Sequence, residues 1–279
     1  MLKYLVLGAN GQLGQELVEL LSVNDADYVA FGSKELDITD RQHVLEVFDS
    51  EKPDVILDAA AYTAVDDAED DGKSRNWSVN ADATKNLADA TKAINAKLIF
   101  VSTDYVFDGT KDGAYLETDA VNPLNEYGKA KLAGECFIQE SGVDFYIIRT
   151  SWVFGKFGRN FVYTMQRLGK KLDEISVVSD QKGRPTWTYT LATFMLHLIK
   201  TNSECGVYNL SNEEETTWYE FASEILRNED VEIKATTTDK FPTKARRPKN
   251  SVLDLSKAKG TGFHIPTWRE ALYEFEQTI

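Results

Sequence analysis

Tyr127 and Lys131 stand four residues apart in Tyr127-Gly128-Lys129-Ala130-Lys131. On a helix, residues i and i+4 share one face. An ammonium beside a phenol favours the phenolate and lowers the tyrosine pKa from its ordinary value of ~10. Such a tyrosine can pass its proton to a carbonyl oxygen while hydride reaches the carbon, which is general acid catalysis. The same spacing also occurs on plain exposed helix faces, so its surroundings decide the reading. Upstream, an apolar run ends in Val101-Ser102-Thr103-Asp104-Tyr105. A hydroxyl there can hydrogen-bond the same carbonyl, and on spacing alone either Ser102 or Thr103 serves.

A second constellation opens the chain. Gly8-Ala9-Asn10-Gly11-Gln12-Leu13-Gly14 follows a short apolar run and precedes a helical pattern. Glycines at such a junction allow a tight turn and let a pyrophosphate approach the backbone, and the helix N-terminus adds N–H groups and a partial positive charge. The spacing is G-x-x-G-x-x-G, and the strand–turn–helix context is the one that a dinucleotide-binding loop requires. After the next apolar run comes Gly32-Ser33-Lys34-Glu35-Leu36-Asp37. No acidic residue immediately ends that run to take a ribose 2′-hydroxyl, whereas Ser33 and Lys34 can bind a 2′-phosphate. This favours NADPH over NADH, the plain alternative being a solvated lysine in a loop.

These residues need a scaffold. Tyr4–Leu7, Tyr28–Phe31, Asp54–Ala60, Lys97–Ser102 and Phe145–Arg149 read as strands. Gln12–Leu21, Arg41–Phe48, Asn76–Ile94 and Pro123–Glu140 between them read as helices. Continuously apolar strands alternating with helices predict an α/β fold, a Rossmann-type doubly wound parallel sheet covered on both faces. In such sheets ligands sit at the carboxyl ends of the strands, where Thr103 and Trp152 fall.

Past about residue 155 the alternation weakens. Phe161–Leu168, Leu191–Ile199, Trp218–Arg227 and Trp268–Phe275 read as helices, with Thr217 and Thr267 as caps. Ile175–Val178 and Val207–Leu210 read as strands, and Phe241 to Asn250 as a loop. The expected division is a dinucleotide-binding domain over 1–155, to which later segments return, and a smaller, mainly substrate-binding lobe over 156–279. Trp218 and Phe241 are expected in the core. Arg246 and Arg247 form the main positive spot of that lobe and suit a diphosphate.

The 279 residues carry a net charge of −14 and 42% apolar residues. That balance supports a sizeable core and repels nucleic acid and anionic membranes over most of the surface. No stretch reads as a signal peptide or a membrane span. Cys136 and Cys205 have no metal or redox spacing and read as reduced thiols of a cytoplasmic protein.

Taken in order, these segments resemble the extended short-chain dehydrogenase/reductase superfamily and, within it, the dTDP-4-dehydrorhamnose reductases. The resemblance runs nearly end to end. It rests on Gly8–Gly14, Ala59-Ala60-Ala61-Tyr62-Thr63-Ala64-Val65-Asp66, Ser102–Phe107, Leu116-Glu117-Thr118-Asp119, Asn125–Gly134 and Arg149-Thr150-Ser151-Trp152-Val153-Phe154. It continues through Asp180-Gln181, Gly183, Pro185-Thr186, Thr217-Trp218-Tyr219, Ala245-Arg246-Arg247-Pro248 and Asn250-Ser251.

The resemblance implies reduction of the C4 ketone of a dTDP-linked 4-dehydro sugar by NADPH or NADH. Tyr127 is then the proton donor, Lys131 the residue that orients the nicotinamide ribose, and Thr103 the residue that polarises the ketone. Gly11-Gln12-Leu13, Asp37-Ile38 and Ala61-Tyr62-Thr63 match cofactor contacts, and Asp104 and Trp152 match sugar-nucleotide contacts. Some members dimerise through a magnesium site of glutamates. Glu16 matches the first, but the second falls near Tyr189, where no carboxylate stands, so no structural metal is expected and the chain is a monomer or a homodimer. The alternatives are another sugar-nucleotide reductase or epimerase of the superfamily, and a non-catalytic NADP-binding regulatory subunit.

Overall fold

The computed structural model describes residues 1–279. The five apolar runs of the first half become β1 (Lys3–Leu7), β2 (Asp27–Phe31), β3 (Val55–Asp58), β4 (Lys97–Thr103) and β5 (Asp144–Thr150). The second half adds β6 (Glu174–Val178), β7 (Gly206–Asn209) and β8 (Glu232–Thr236). β7 returns to the main sheet, whose order is β7-β5-β4-β3-β1-β2 with every pair parallel. β6 and β8 pair with each other as a separate parallel ribbon. The sheet is the expected Rossmann-type one, and its strand order reverses between β1 and β3, which sets the ligand crevice there.

Helices cover both faces because the strands are apolar on both. α1 (Gln12–Val23) and α7 (Thr188–Lys200) cover one face, where Leu13, Leu17 and Leu21 share a core with Leu191, Met195 and Leu198. α2 (Arg41–Glu51), α4 (Ala83–Ala93) and α5 (Glu126–Ser141) cover the other through Val44, Phe48, Leu87 and Ile138. A third core lies in the second half. There α6 (Phe161–Gly169), α8 (Trp218–Ile225) and α9 (Trp268–Glu276) pack Val162, Phe221, Trp268 and Phe275 against Ile175 and Val177 of β6. Thr217 and Thr267 cap their helices with complete capping boxes to Glu220 and Glu270. At the α1–α7 contact the buried Glu16 accepts a 2.7 Å hydrogen bond from the Thr188 hydroxyl.

Two helices differ from the sequence expectation. The pattern over 76–94 is interrupted: α3 (Lys73–Trp77) passes into a π-helical turn, Ser78–Asp82, before α4. The extra residue in that turn accompanies a local network of amides. Asn80 donates to Asn76 (2.7 Å) and brackets Tyr62, accepting from its N–H (3.1 Å) and donating to its carbonyl (2.9 Å). α5 starts at Glu126 rather than Pro123, because the Asn125 side chain accepts from Gly128 N–H at 2.8 Å and so fixes the N-cap.

One buried ion pair ties α5 to the sheet. Arg149 of β5 meets Glu135 of α5 through bonds of 2.7 and 3.0 Å, with side chains only 5% and 0% exposed. Ser102 donates to the same carboxylate, and Arg149 Nη1 donates to the Glu117 carbonyl at 3.1 Å. Removing one partner strands a charge in the interior, which typically costs about 3–5 kcal/mol. Glu135→Gln is therefore expected to lower the unfolding free energy by that amount in urea titration. A loss below ~1 kcal/mol, the range of exposed pairs, would refute the pair's burial.

Candidate active site

Gly8 leaves β1 with φ of 71°, a left-handed conformation, and a Cβ there would lie 2.7 Å from Ala60 N. A Cβ on Gly14 would lie 2.1 Å from the Gly8 carbonyl oxygen. Both positions therefore require glycine. α1 begins directly behind this turn, and its N-cap, Gly11, offers no side chain to the free N–H groups. A cradle this close, with uncapped donors at a helix start, fits a dinucleotide's pyrophosphate.

Two adjoining cavities flank the loop. The larger, of about 610 Å³, is bordered by Asn10, Gly11, Gln12 and Leu13, by Ala61 and Thr63 after β3, by Thr103 and Asp104 after β4, and by Tyr127, Trp152 and Trp218. The smaller, of about 400 Å³, is bordered by Gly8, Ser33, Asp37, Ile38, Tyr62 and Arg75, and shares Asn10, Gly11 and Ala61 with the first. Asp37 is held by Thr39, whose N–H and hydroxyl donate to its Oδ1 at 3.0 and 2.7 Å. These bonds, with Arg75, keep its carboxyl below the usual range.

The hydroxyls at the end of β4 separate cleanly. Ser102 is committed to Glu135. Thr103 accepts from Tyr105 N–H at 3.1 Å and donates to Asp104 Oδ1 at 3.1 Å, which keeps its oxygen at the cavity wall beside Tyr127. Tyr127 is in the first turn of α5, with the Tyr105 ring edge-on at 6.1 Å between centroids.

The expected lowering of the Tyr127 pKa does not appear. Burial pushes its phenol up, the Asp104 charge adds to that, and only the Thr103 hydroxyl acts the other way. The reason is where Lys131 points. Its ammonium is buried without a hydrogen-bond partner, 3.8 Å from the Phe100 ring centroid, and it feels Asp58 and Glu135 instead. Burial lowers Lys131 to about 8 against the pull of those carboxylates. Burial raises Asp58 to about 6, opposed by Lys131. Asp104, whose Oδ2 is buried and unpartnered, is raised by burial to about 7.

Trp152 adopts φ of 48°, which costs a non-glycine residue about 1–2 kcal/mol. Neighbouring bonds impose it: Thr150 Oγ1 to Thr186 Oγ1 at 3.1 Å and Ser151 Oγ to the Arg184 carbonyl at 2.6 Å. The indole stacks on Trp218, 3.8 Å between centroids and 14° between planes, and Gly183 passes so close that a Cβ would lie 2.7 Å from it. Trp218 packs against the third core beside Phe161, as expected, and its other side also forms part of the cavity wall. Phe241 is not in the core: it is 57% exposed on the loop after β8, which is held away from the apolar clusters.

The basic loop also departs from expectation. Arg247 is bound by Asp66 through bonds of 2.8 and 3.1 Å, and Arg246 is exposed, so neither borders the large cavity. Opposite charge from the segment after β3 has captured Arg247. The arginine on that cavity's wall is Arg159, beside Asn160, whose Nδ2 donates to Gln12 Oε1 at 3.3 Å. Lys34 is exposed and stands outside the smaller cavity. Sequence reasoning missed Arg159, Arg75 and the pairing of Trp152 with Trp218, which only the tertiary structure brings together. Glu16 sits in no cluster of three or more candidate metal ligands.

Residues 2–279 match the family model described as the RmlD substrate binding domain. The chain belongs to the RmlD family. This RmlD chain is 41% identical over 288 residues to the dTDP-4-dehydrorhamnose reductase of Aggregatibacter actinomycetemcomitans, covering 98% of the chain and 97% of the relative. It is 38% identical to the spore coat polysaccharide biosynthesis protein SpsK of Bacillus subtilis (strain 168), with 99% and 98% covered. Among solved structures it resembles the dTDP-4-dehydrorhamnose reductase of Bacillus anthracis str. Ames in complex with NADP, at 40% identity and a TM-score of 0.96, with 100% and 99% covered.

Asp104 gives this RmlD chain a pH signature. Its folded pKa of about 7 lies above the ordinary carboxyl value of ~3.9. The folded state then holds a proton that the unfolded state has lost, so the stability it contributes is complete below about pH 4 and is lost as pH rises through about 7. Asp104→Asn cannot ionise. Its unfolding free energy, measured in urea, should gain on that of the unaltered protein as pH rises across this window. A difference that stays constant with pH would remove the assignment.

Proposed function

We propose that this chain reduces the C4 ketone of dTDP-4-dehydro-L-rhamnose to dTDP-L-rhamnose with NADPH, NADH being the weaker alternative. This is the last step in making activated rhamnose for surface polysaccharides. The observation that carries the reading is the convergence of the Thr103 hydroxyl and the Tyr127 phenol on one cavity between the glycine loop and the Trp152–Trp218 stack. The relatives named as dTDP-4-dehydrorhamnose reductases support the substrate.

Bound along Gly8–Gly14, a reduced nicotinamide dinucleotide supplies the hydride. The chain's own residues do the rest. Tyr127, kept as the phenol by burial, donates its proton to the C4 oxygen as negative charge develops there. Thr103, by turning its one hydroxyl proton from Asp104 Oδ1 to that oxygen, gives it a second hydrogen bond. Lys131 would hold the nicotinamide ribose once its buried ammonium, which has no hydrogen-bond partner and borders neither cavity, turns away from the Phe100 ring. Asp104 is the hydrogen-bonding group for the sugar, and the two indoles give the sugar nucleotide an apolar wall. Arg159 takes the diphosphate role that Arg246 and Arg247 are not placed to fill.

In this reading residues 1–155 hold chiefly the cofactor and residues 156–279 chiefly the sugar nucleotide, with Trp218 contributed from the second part. We place the reaction in the cytoplasm, where nucleotide sugars and reduced nicotinamide are produced. No helix is long and apolar enough to cross a membrane.

The test follows NADPH consumption with dTDP-4-dehydro-L-rhamnose formed in situ by the enzymes that precede it. Tyr127→Phe should lower kcat about 100- to 10,000-fold while leaving cofactor affinity unchanged. A folded, cofactor-binding protein that consumes no NADPH would instead support the epimerase or regulatory-subunit reading.

A further inference from the structure

The smaller cavity has an uneven charge pattern that the proposed reduction does not use. Its wall carries one carboxylate, Asp37, and one cation, Arg75. Asp37 belongs to the loop after β2, while Arg75 comes from α3, beyond β3. Asp37 Oδ1 is occupied by Thr39, and its Oδ2 faces Arg75 Nη2 at 3.7 Å, which is longer than a hydrogen bond. The guanidinium is thus held near the cavity by attraction, makes no hydrogen bond within the protein, and is 52% exposed. Ser33 is exposed on the same wall. Lys34, the basic residue adjacent to Ser33 in sequence, is absent from it.

A carboxylate alone at this place accepts a hydrogen bond from a ribose 2′-hydroxyl and repels a 2′-phosphate. A guanidinium fork reverses that preference. It neutralises the carboxylate and presents paired donors whose geometry matches phosphate oxygens. The cavity adjoins the glycine loop, so a dinucleotide lying along that loop places its adenosine ribose here. We propose that Arg75, with Ser33 as a second donor, binds the 2′-phosphate of adenosine and sets the preference for NADPH, and that Lys34 takes no part. Asp37 remains able to accept from the 2′-hydroxyl of NADH. The inference rests on the dinucleotide reading of the glycine loop but not on the identity of the sugar substrate.

Calorimetric titration with adenosine 2′,5′-bisphosphate and with 5′-AMP tests it without turnover or sugar nucleotide. The unaltered protein should bind the bisphosphate more tightly. Arg75→Ala should weaken the bisphosphate roughly 10- to 100-fold, the range for a hydrogen bond to a charged group, and leave 5′-AMP unchanged. Lys34→Ala should change neither. The proposal is overturned if Arg75→Ala weakens both ligands equally, or if the loss follows Lys34→Ala instead. If neither ligand binds the unaltered protein, the dinucleotide reading fails first and takes this inference with it. In parallel, KM for NADPH should rise in Arg75→Ala while KM for NADH holds, and equal rises would overturn the proposal.

Discussion

A carboxylate and a guanidinium buried together are costly unless their polar atoms find partners, and the Glu135–Arg149 pair gives each side-chain nitrogen and oxygen at least one, drawing on four segments of chain. Glu135 brings α5, Arg149 brings β5, Ser102 brings the end of β4, and the Glu117 carbonyl brings the loop between them. Each of the first three stands close in sequence to a residue of the site. Thr103 follows Ser102, Lys131 lies one turn before Glu135, and Trp152 lies three residues past Arg149. The ion pair cannot shift without moving Thr103, Lys131 and Trp152 together. Low dielectric makes such a network rigid when satisfied and intolerant of partial satisfaction.

The crevice itself is the reverse. Asp104 Oδ2 and the Lys131 ammonium are buried with no partner, although most buried polar groups have one. Each unsatisfied group typically costs about 1–3 kcal/mol, so a ligand that supplies the missing partners recovers free energy on binding. Trp152, held in a left-handed conformation, adds to the same reserve. Two of the six buried unpartnered side-chain atoms and one of the six left-handed non-glycine residues thus lie at or behind the crevice.

Much of this was legible in the chain. The sheet could be read because β1, β3, β4 and β5 are buried on both faces and leave continuous apolar runs. The glycine loop was legible because the backbone approach at Gly8 and Gly14 excludes any side chain. Thr103 was legible only as one of two hydroxyls, since the choice depended on a glutamate 33 positions away. The direction of Lys131 could not be read from the i, i+4 rule, because the pull of Asp58 and the Phe100 face comes from other strands. Arg247 looked free for phosphate until Asp66, remote in sequence, was seen to hold it. The π-helical turn left no pattern distinct from an ordinary helix, and with it went the Asn80 clamp on Tyr62 and the place of Arg75. Tertiary partners decided every one of these cases.

The packing of α1 on α7 bears on how the chain is made. Leu13, Leu17 and Leu21 belong to α1, which leaves the ribosome before α2 to α8, yet they share their core with Leu191, Met195, Leu198, Leu255 and Ile265. The edge strand β7 is also a late arrival. Throughout synthesis of the first half, one whole face of the growing sheet has no helix to cover it apart from α1, and β5 has an open edge. Exposed apolar surface and unpaired strand edges are the features that chaperones bind and that drive aggregation. Vectorial synthesis therefore leaves the nascent first half dependent on protection until the second half has been translated.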